Sequence, residues 1–327
     1  MRREDILDIL GEDWTRLQET IAEALHSDIS LLDIVNAGIL AHNGKMLRPM
    51  VTLLIAKCIK QGEITPAETF NYAAASELLH NATLLHDDVA DESDTRRGRP
   101  TLRATLGPSQ AVLVGDFWLS RAVLQIINAN PAKSHLIIPL FSNTLSHLAE
   151  GEMLQLEKAS DISTTQEDYF RIIFCKTASL FVSAAMSGAI ASDADEKQLA
   201  AASTYGEALG TAFQIRDDIL DYVGDEALGK PVGIDIREKK ITLPLFLSMQ
   251  NAEDEEYVRN SLRKIDSCEG ISEEIRKFVG IRAGVPAAEK VLSEYVDKAL
   301  HALEALPACK ERDCLAAIAK LNLGRTQ

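Results

Sequence analysis

The sequence predicts an all-α protein, a bundle of many helices. Two observations carry this expectation. Apolar residues recur at helical spacing along most of the chain, and no convincing run of strand alternation interrupts them. The 18 Gly and 10 Pro among 327 residues fall below the usual combined share of roughly 12%, and aromatic residues reach only 5%, which argues against a turn-rich β architecture. No low-complexity segment or Pro/Gly/Ser-rich linker divides the chain, so a single domain over residues 1–327 is expected.

Taken in order, residues 66–90 form the first long helix, with Pro66 in its first turn and Leu78, Leu79, Leu84 and Leu85 at helical spacing. Residues 108–128 form another, begun by Pro108, and residues 134–157 a third. Thr164 and Glu167 fit a capping box that opens a helix through Phe170, Ile173 and Phe174. The uncharged run Thr177 to Ser192 is short for a bilayer span and carries several serines. It is read as a buried core helix, and no transmembrane segment is expected. Residues 196–223 form a further long helix, and Pro286 opens one that runs to about Leu306.

Composition narrows the function. The 34 Lys and Arg against 49 Asp and Glu leave a formal charge of −15. That excludes a general nucleic-acid binder, because phosphate backbones select basic surfaces. A hydrophobic share of 46% with 25% charged residues excludes a mainly disordered chain. Met1-Arg2-Arg3-Glu4-Asp5 leads into a mixed, acidic stretch without an apolar signal core, so export is not expected. Five scattered Cys, none in a C-x-x-C pair, fit reduced thiols and a cytoplasmic protein.

Two segments share one pattern. Leu85-His86-Asp87-Asp88-Val89-Ala90-Asp91 and Ile215-Arg216-Asp217-Asp218-Ile219-Leu220-Asp221 both read D-D-x-x-D near the C-terminal end of an apolar helix. Positions i and i+4 share a helix face, so Asp87 stacks with Asp91 and Asp217 with Asp221. Like charges one turn apart repel. A single cluster of this kind is ordinarily a solvated surface, but two with the same spacing and apolar flanks point to carboxylates at the mouth of a cavity. Oxygen ligands select Mg²⁺, which bridges carboxylates to substrate phosphates. Cations flank both motifs: Lys45 and Arg48, Arg96 and Arg97, Lys176, Lys230, and Lys239 with Lys240. Each alone is a surface cation; as a set they suit an anionic substrate held by metal. Lys45 lacks the frame of a nucleotide-binding P-loop.

The ordered set resembles the trans-isoprenyl diphosphate synthases, or polyprenyl synthetases. The resemblance rests on His80 through Gly98 around the first motif and on Phe213 through Tyr222 around the second. Gly229-Lys230-Pro231-Val232-Gly233-Ile234-Asp235 and Thr242-Leu243-Pro244-Leu245 continue it. It implies an all-α, single-domain bundle around a deep central cavity, the type I isoprenoid synthase fold, usually as a homodimer. It also implies Mg²⁺-dependent head-to-tail condensation. An allylic diphosphate, farnesyl or geranyl, ionises, isopentenyl diphosphate attacks the cation, and a proton is lost to the departing diphosphate. By the resemblance Asp87, Asp91 and Asp217 hold the metal, with Asp88, Asp218 and Asp221 in support. Arg96, Lys176, Lys230 and Lys240 hold the allylic diphosphate, and Thr177 and Gln214 line the cation. Lys45, Arg48, His80 and Arg97 hold isopentenyl diphosphate. Two positions depart from the family pattern: Met46, where a second basic residue is usual after Gly44-Lys45, and Lys239, where Gly or Asn is common.

The product is expected to grow along the helix of the first motif. Short-chain members carry aromatics one turn before that motif, where Ala82 and Thr83 stand here. Ala75 and Ser76, two turns deeper, are also small, and Trp118 or Leu119 on the neighbouring helix is the candidate lower floor. A medium-to-long product follows, nearest to the octaprenyl pattern, with a geranylgeranyl-length product as the shorter alternative. A class I terpene cyclase fits less well, since its second motif usually mixes Asn or Asp with Ser/Thr and Glu. A non-catalytic subunit of a heteromeric synthase tends to lose aspartates that are intact here.

Overall fold

The computed structural model describes residues 1–42, 44–96, 98–224 and 232–323. Helices dominate. The first group is α1 Arg3–Leu10, α2 Glu12–Leu25, α3 Ser30–Leu40, α4 Leu47–Lys60 and α5 Ala67–Ala90. The next is α6 Leu102–Leu106, α7 Pro108–Ala129, α8 Ser134–Asp161, α9 Gln166–Ile173, α10 Ser179–Ala191 and α11 Glu196–Val223. The last is α12 Ile234–Arg237, α13 Leu243–Ser248, α14 Ala252–Arg263, α15 Ile271–Ile281, α16 Gly284–Leu303 and α17 Lys310–Lys320. The only strands among the described residues are β1 Thr95–Arg96 and β2 Arg99–Pro100, a two-rung antiparallel ribbon within what the sequence presents as a short polar loop.

The predicted helices are present, and their ends differ in instructive ways. α8 runs to Asp161, four residues past the predicted limit. The capping box sits one residue later than predicted: the Asp168 N–H donates to Thr165 Oγ1 (3.1 Å), and the Thr165 N–H donates to Asp168 Oδ2 (3.0 Å). Thr164 is buried and lines a cavity, which leaves its neighbour to cap. α9 does not simply end: residues Phe174–Ala178 form a π-helical turn that leads into α10. α16 starts at Gly284, two residues before Pro286, and stops at Leu303. Two helical stretches, Pro108–Ala129 and Gln166–Ala191, are long and apolar enough to cross a membrane by length and composition; the window of the second is 78% buried within the protein.

The chain forms two compact units, each made of three stretches. The first comprises Met1–Phe141, Ser183–Ser203 and Glu304–Leu315. Its centre is the α5–α7 pair with α4, whose residues Met50 to Ala56 are fully buried. Trp118 on α7 is buried and donates from Nε1 to Asn36 Oδ1 on α3 (2.8 Å), and Asn36 donates in turn to the Leu25 carbonyl (2.8 Å). α10 approaches α4 closely at Gly188, where a Cβ would lie 2.3 Å from the Thr52 carbonyl oxygen. Beside it Thr52 Oγ1 donates to the Ala184 carbonyl (2.9 Å).

The second unit comprises Ser142–Val182, Thr204–Leu303 and Ala316–Gln327. One apolar core joins Tyr222, Ile236, Leu245, Val258, Leu262 and Ile275. Two glycines crowd the π turn: a Cβ at Gly151 on α8 would lie 2.6 Å from Cys175 Cβ, and one at Gly210 on α11 would lie 2.5 Å from Ala178 Cα.

Gly188→Ala is expected to destabilise the protein by about 1–3 kcal/mol, the usual cost of overpacking a tight contact. Chemical denaturation measures it, and an unchanged midpoint would contradict the α4–α10 approach.

Candidate active site

The first aspartate motif closes α5. Asp87 and Asp88 lie in its last turn, and Asp91 follows directly, its N–H donating to the Asp87 carbonyl (2.8 Å). Asp88 is buried, and the Arg96 guanidinium donates from Nε to its Oδ1 (2.7 Å). The ribbon therefore delivers Arg96 back onto the motif it follows. Asp87 is half-buried and Asp91 exposed. His86 packs against α7 at Gly115, where a Cβ would lie 2.3 Å from Nε2. That nitrogen lies 3.3 Å from Asp116 Oδ1 and 3.4 Å from the Val112 carbonyl. Arg48 is buried in the first turn of α4, with the exposed Lys45 just before it and Met46 in left-handed backbone between them. His80 stands two turns before Asp87 on α5, half-buried. Ala82 is buried one turn before the motif, and Thr83 Oγ1 donates back to the His80 carbonyl (2.8 Å).

The second motif closes α11, and its three carboxylates differ. Asp217 is exposed. Asp218 is 3% exposed and is held from two sides. Tyr169 Oη donates to Oδ2 (2.6 Å), and Gln214 Nε2 donates to Oδ1 (2.9 Å). The chain of bonds continues to Thr177, whose Oγ1 donates to Gln214 Oε1 (2.8 Å). Asp221 accepts the N–H groups of Ile234 and Asp235 at the start of α12, both at 3.1 Å. Burial is the main cause that raises the carboxyl pKa of all three neighbours in this group. Asp218 is pushed up to about 6, against the help of Tyr169 and Gln214, with Asp217 and Asp221 adding repulsion. Asp235 is pushed up to about 8 by burial and then by the charges of Asp218 and Asp221. Asp221 is raised by burial despite its backbone donors. The Tyr169 hydroxyl is driven well above its ordinary value by burial and the adjoining Asp218.

Tyr169, Lys176, Gln214, Asp218, Asp235 and Lys240 line one cavity of about 200 Å³ within the second unit. Lys176 is ion-paired to Glu152 of α8, and Lys240 to Glu238. Thus four predicted site residues of this unit, Lys176, Gln214, Asp218 and Lys240, converge on one space. Arg97 and Lys230 lie outside the described residues.

Some residues of the site were given no role from sequence. Asp235 ends the Gly229–Asp235 segment, and its carboxylate between Ile234 and Ile236 is the one local signal of a role. Tyr169 stands seven residues, two turns, before Lys176, but its bond to Asp218 spans 49 positions and leaves no local mark. The Lys176 partner, Glu152, lies 24 positions away on another helix, again beyond any local pattern.

The polyprenyl synthetase family profile matches residues 30–279. The chain belongs to the polyprenyl synthetase family. It is 35% identical to the octaprenyl diphosphate synthase of Escherichia coli (strain K12), over 99% of both chains. It is 37% identical to the all-trans-nonaprenyl-diphosphate synthase (geranyl-diphosphate specific) of Rhodobacter capsulatus, over 99% of this chain and 98% of the relative. The crystal structure of a decaprenyl diphosphate synthase from Rhodobacter capsulatus superposes with a TM-score of 0.91 at 34% identity, covering 100% of both chains. The fold is the all-α type I isoprenoid synthase fold, and the protein is an enzyme of the prenyltransferase class.

Each motif, taken by itself, offers oxygen donors only, the donor chemistry that Mg²⁺ takes. Among the described residues no group of three or more His, Cys, Asp or Glu side chains is arranged to hold a metal alone. Mg²⁺ suits such a site, because it keeps several waters and takes one or two carboxylates together with substrate phosphates.

Tyr169→Phe leaves a buried carboxylate oxygen without its donor and is expected to cost about 1–3 kcal/mol of stability. Steady-state kinetics on the folded variant should show kcat falling with KM little changed; equal loss in both would point to substrate binding instead.

Proposed function

We propose that this polyprenyl synthetase condenses isopentenyl diphosphate with an allylic diphosphate, farnesyl or geranyl, to give a medium-to-long all-trans polyprenyl diphosphate. The observation that carries the site assignment is the convergence of Lys176, Gln214, Asp218 and Lys240 on one cavity of the second unit. Asp88 in the first unit accepts a bond from Arg96, and in the second unit Asp218 accepts from Tyr169 and Gln214 and Asp221 from the α12 backbone, so each of these carboxylates is held in place by its own unit. Asp91 and Asp217 are exposed and Asp87 half-buried, and the family resemblance assigns these three as the magnesium ligands. Magnesium, when bound, supplies positive charge that stabilises the departing diphosphate.

The chain's own residues do the rest. Arg96, Lys176, Lys230 and Lys240 hold the allylic diphosphate. Lys176 and Lys240 then exchange the partners Glu152 and Glu238 for phosphate oxygens. Lys45, Arg48, His80 and Arg97 hold isopentenyl diphosphate. Thr177 commits its proton to Gln214, whose amide commits to Asp218, so the hydroxyl oxygen turns its lone pairs outward with the Asp218 charge polarising the relay. Such an oxygen stabilises an allylic cation without attacking it as a free base would. The apolar helices exclude water that would quench the cation. The leaving diphosphate takes the proton, so no side-chain base is required.

We read residues 1–327 as one functional domain, cytoplasmic, acting as a homodimer. Val112, Leu113, Leu124 and Ile127 leave apolar surface on α7, and Asp116 and Arg121 break its apolar run. A second copy covers such a face better than lipid does.

The test is turnover with Mg²⁺, isopentenyl diphosphate and farnesyl diphosphate, read by mass analysis. Elongation beyond geranylgeranyl length is the expected result, and no elongation would remove the proposal. Asp87→Ala should lower kcat by about 10²-fold or more, the scale of losing one stabiliser of transition-state charge. Product length has its own test. The buried Ala82 precedes Asp87 by five residues, about 7.5 Å of helix rise. Ala82→Phe is expected to shift the product ladder to shorter chains; an unchanged ladder would contradict growth along α5.

A further inference from the structure

Three of the five cysteines gather in the first unit, away from the aspartate motifs. Cys58 lies near the end of α4 and is fully buried. Cys309 lies in the segment between α16 and α17 and is half-exposed. Cys314 is buried on α17. The Sγ atoms of Cys58 and Cys309 are 3.3 Å apart, and Cys58 Sγ also lies 3.4 Å from the Pro307 carbonyl oxygen. Two thiols in contact need only side-chain rotation and a small backbone adjustment to reach bonding distance. The segment that carries Cys309 is anchored: Leu306, three residues before it, is buried, and Arg312 Nη1 donates to the Leu306 carbonyl (3.1 Å).

We propose that Cys58 and Cys309 form a reversible disulfide that clamps the C-terminal segment to α4. The two cysteines differ in the way the chemistry needs. Cys309 is reachable from solvent and takes the first step. Its thiolate attacks one sulfur of a low-molecular-weight disulfide such as oxidised glutathione, forming a mixed disulfide and releasing one thiolate. Cys58, shielded from solvent but in contact with Cys309, then gives up its proton and attacks the Cys309 sulfur. The new S–S bond forms, the mixed disulfide breaks, and a second thiol leaves. Two protein thiols are oxidised and one small disulfide is reduced to two thiols. Burial holds the Cys58 thiol protonated more strongly than usual, which slows its reaction with reagents from solvent.

The bridge joins residues 251 positions apart, so it restricts the unfolded chain over most of its length. It acts on stability rather than on turnover. Cys58 stands ten residues along α4 from Arg48, about 15 Å of helix rise.

The experiment incubates the full-length protein with oxidised glutathione under native conditions, then maps disulfides by mass spectrometry of a non-reducing digest. The expected result is a Cys58–Cys309 peptide pair, reversed by a dithiol reductant, and a thermal midpoint raised by about 5 °C or more in the oxidised protein. Prenyl transfer by the oxidised and reduced forms should agree within about twofold. Cys314→Ala should still form the bridge, and Cys309→Ala should form none and show no oxidant-dependent rise in melting temperature. A glutathione adduct that persists on Cys309, a Cys309–Cys314 link in its place, or a bridged protein that melts with the reduced one would overturn the proposal.

Discussion

A carboxylate enclosed by apolar helices must be met by donors or lose its charge, and Asp218 is where this protein meets that constraint. Desolvation drives its pKa upward, and two side-chain bonds pull the other way. Those bonds fix more than the carboxylate. Tyr169 ties α9 to α11, and Gln214 ties Asp218 to Thr177 in the π turn. Removing any one member leaves a buried polar group unmatched, so the network holds or fails as a unit. The glycines fit this reading. Gly210 lets α11 come near enough to Ala178 for the Gln214–Thr177 bond, and Gly151 lets α8 come near enough to Cys175 for Glu152 to reach Lys176.

The same constraint explains how a chain of net charge −15 handles anionic substrates. The sign of the whole surface matters less than how each acid is placed. Asp88 has a guanidinium, and Asp221 has two backbone N–H groups. Asp218 and Asp235 are pushed toward neutrality by burial and by one another. The positive charge of Lys240 eases that repulsion at Asp235. The remaining acids are most simply solvated surface that keeps the folded protein dispersed.

The long helices were legible in the sequence because period and punctuation agreed, as at Pro108 and across 196–223. The capping box slipped by one because Thr164 and Thr165 are chemically alike, and only burial decides which one caps. The aspartates were legible because a repeated D-D-x-x-D is a local pattern. How Asp88, Asp218 and Asp221 are held was not, since Arg96, Tyr169 and the α12 backbone are partners that folding supplies. The π turn was also hidden. It shares its composition with α9 and α10, and a change of helical register writes no residue type of its own.

That hidden turn is what lets two adjacent residues serve two different helices. Lys176 pairs with Glu152 on α8, while Thr177 bonds to Gln214 on α11. A π turn opens the helix by one residue per turn and strains its hydrogen-bond ladder. Here the strain is met locally. The Ser179 N–H donates to the Phe174 carbonyl, the five-residue spacing of a π turn, and Ser179 Oγ donates to the Cys175 carbonyl (2.8 Å). The widened turn lies where glycines on α8 and α11 make room for it. Regularising that segment would rotate Lys176 and Thr177 against their partners and strand Gln214 beside a buried carboxylate. The irregular turn is therefore held by the same buried charge that it helps to satisfy.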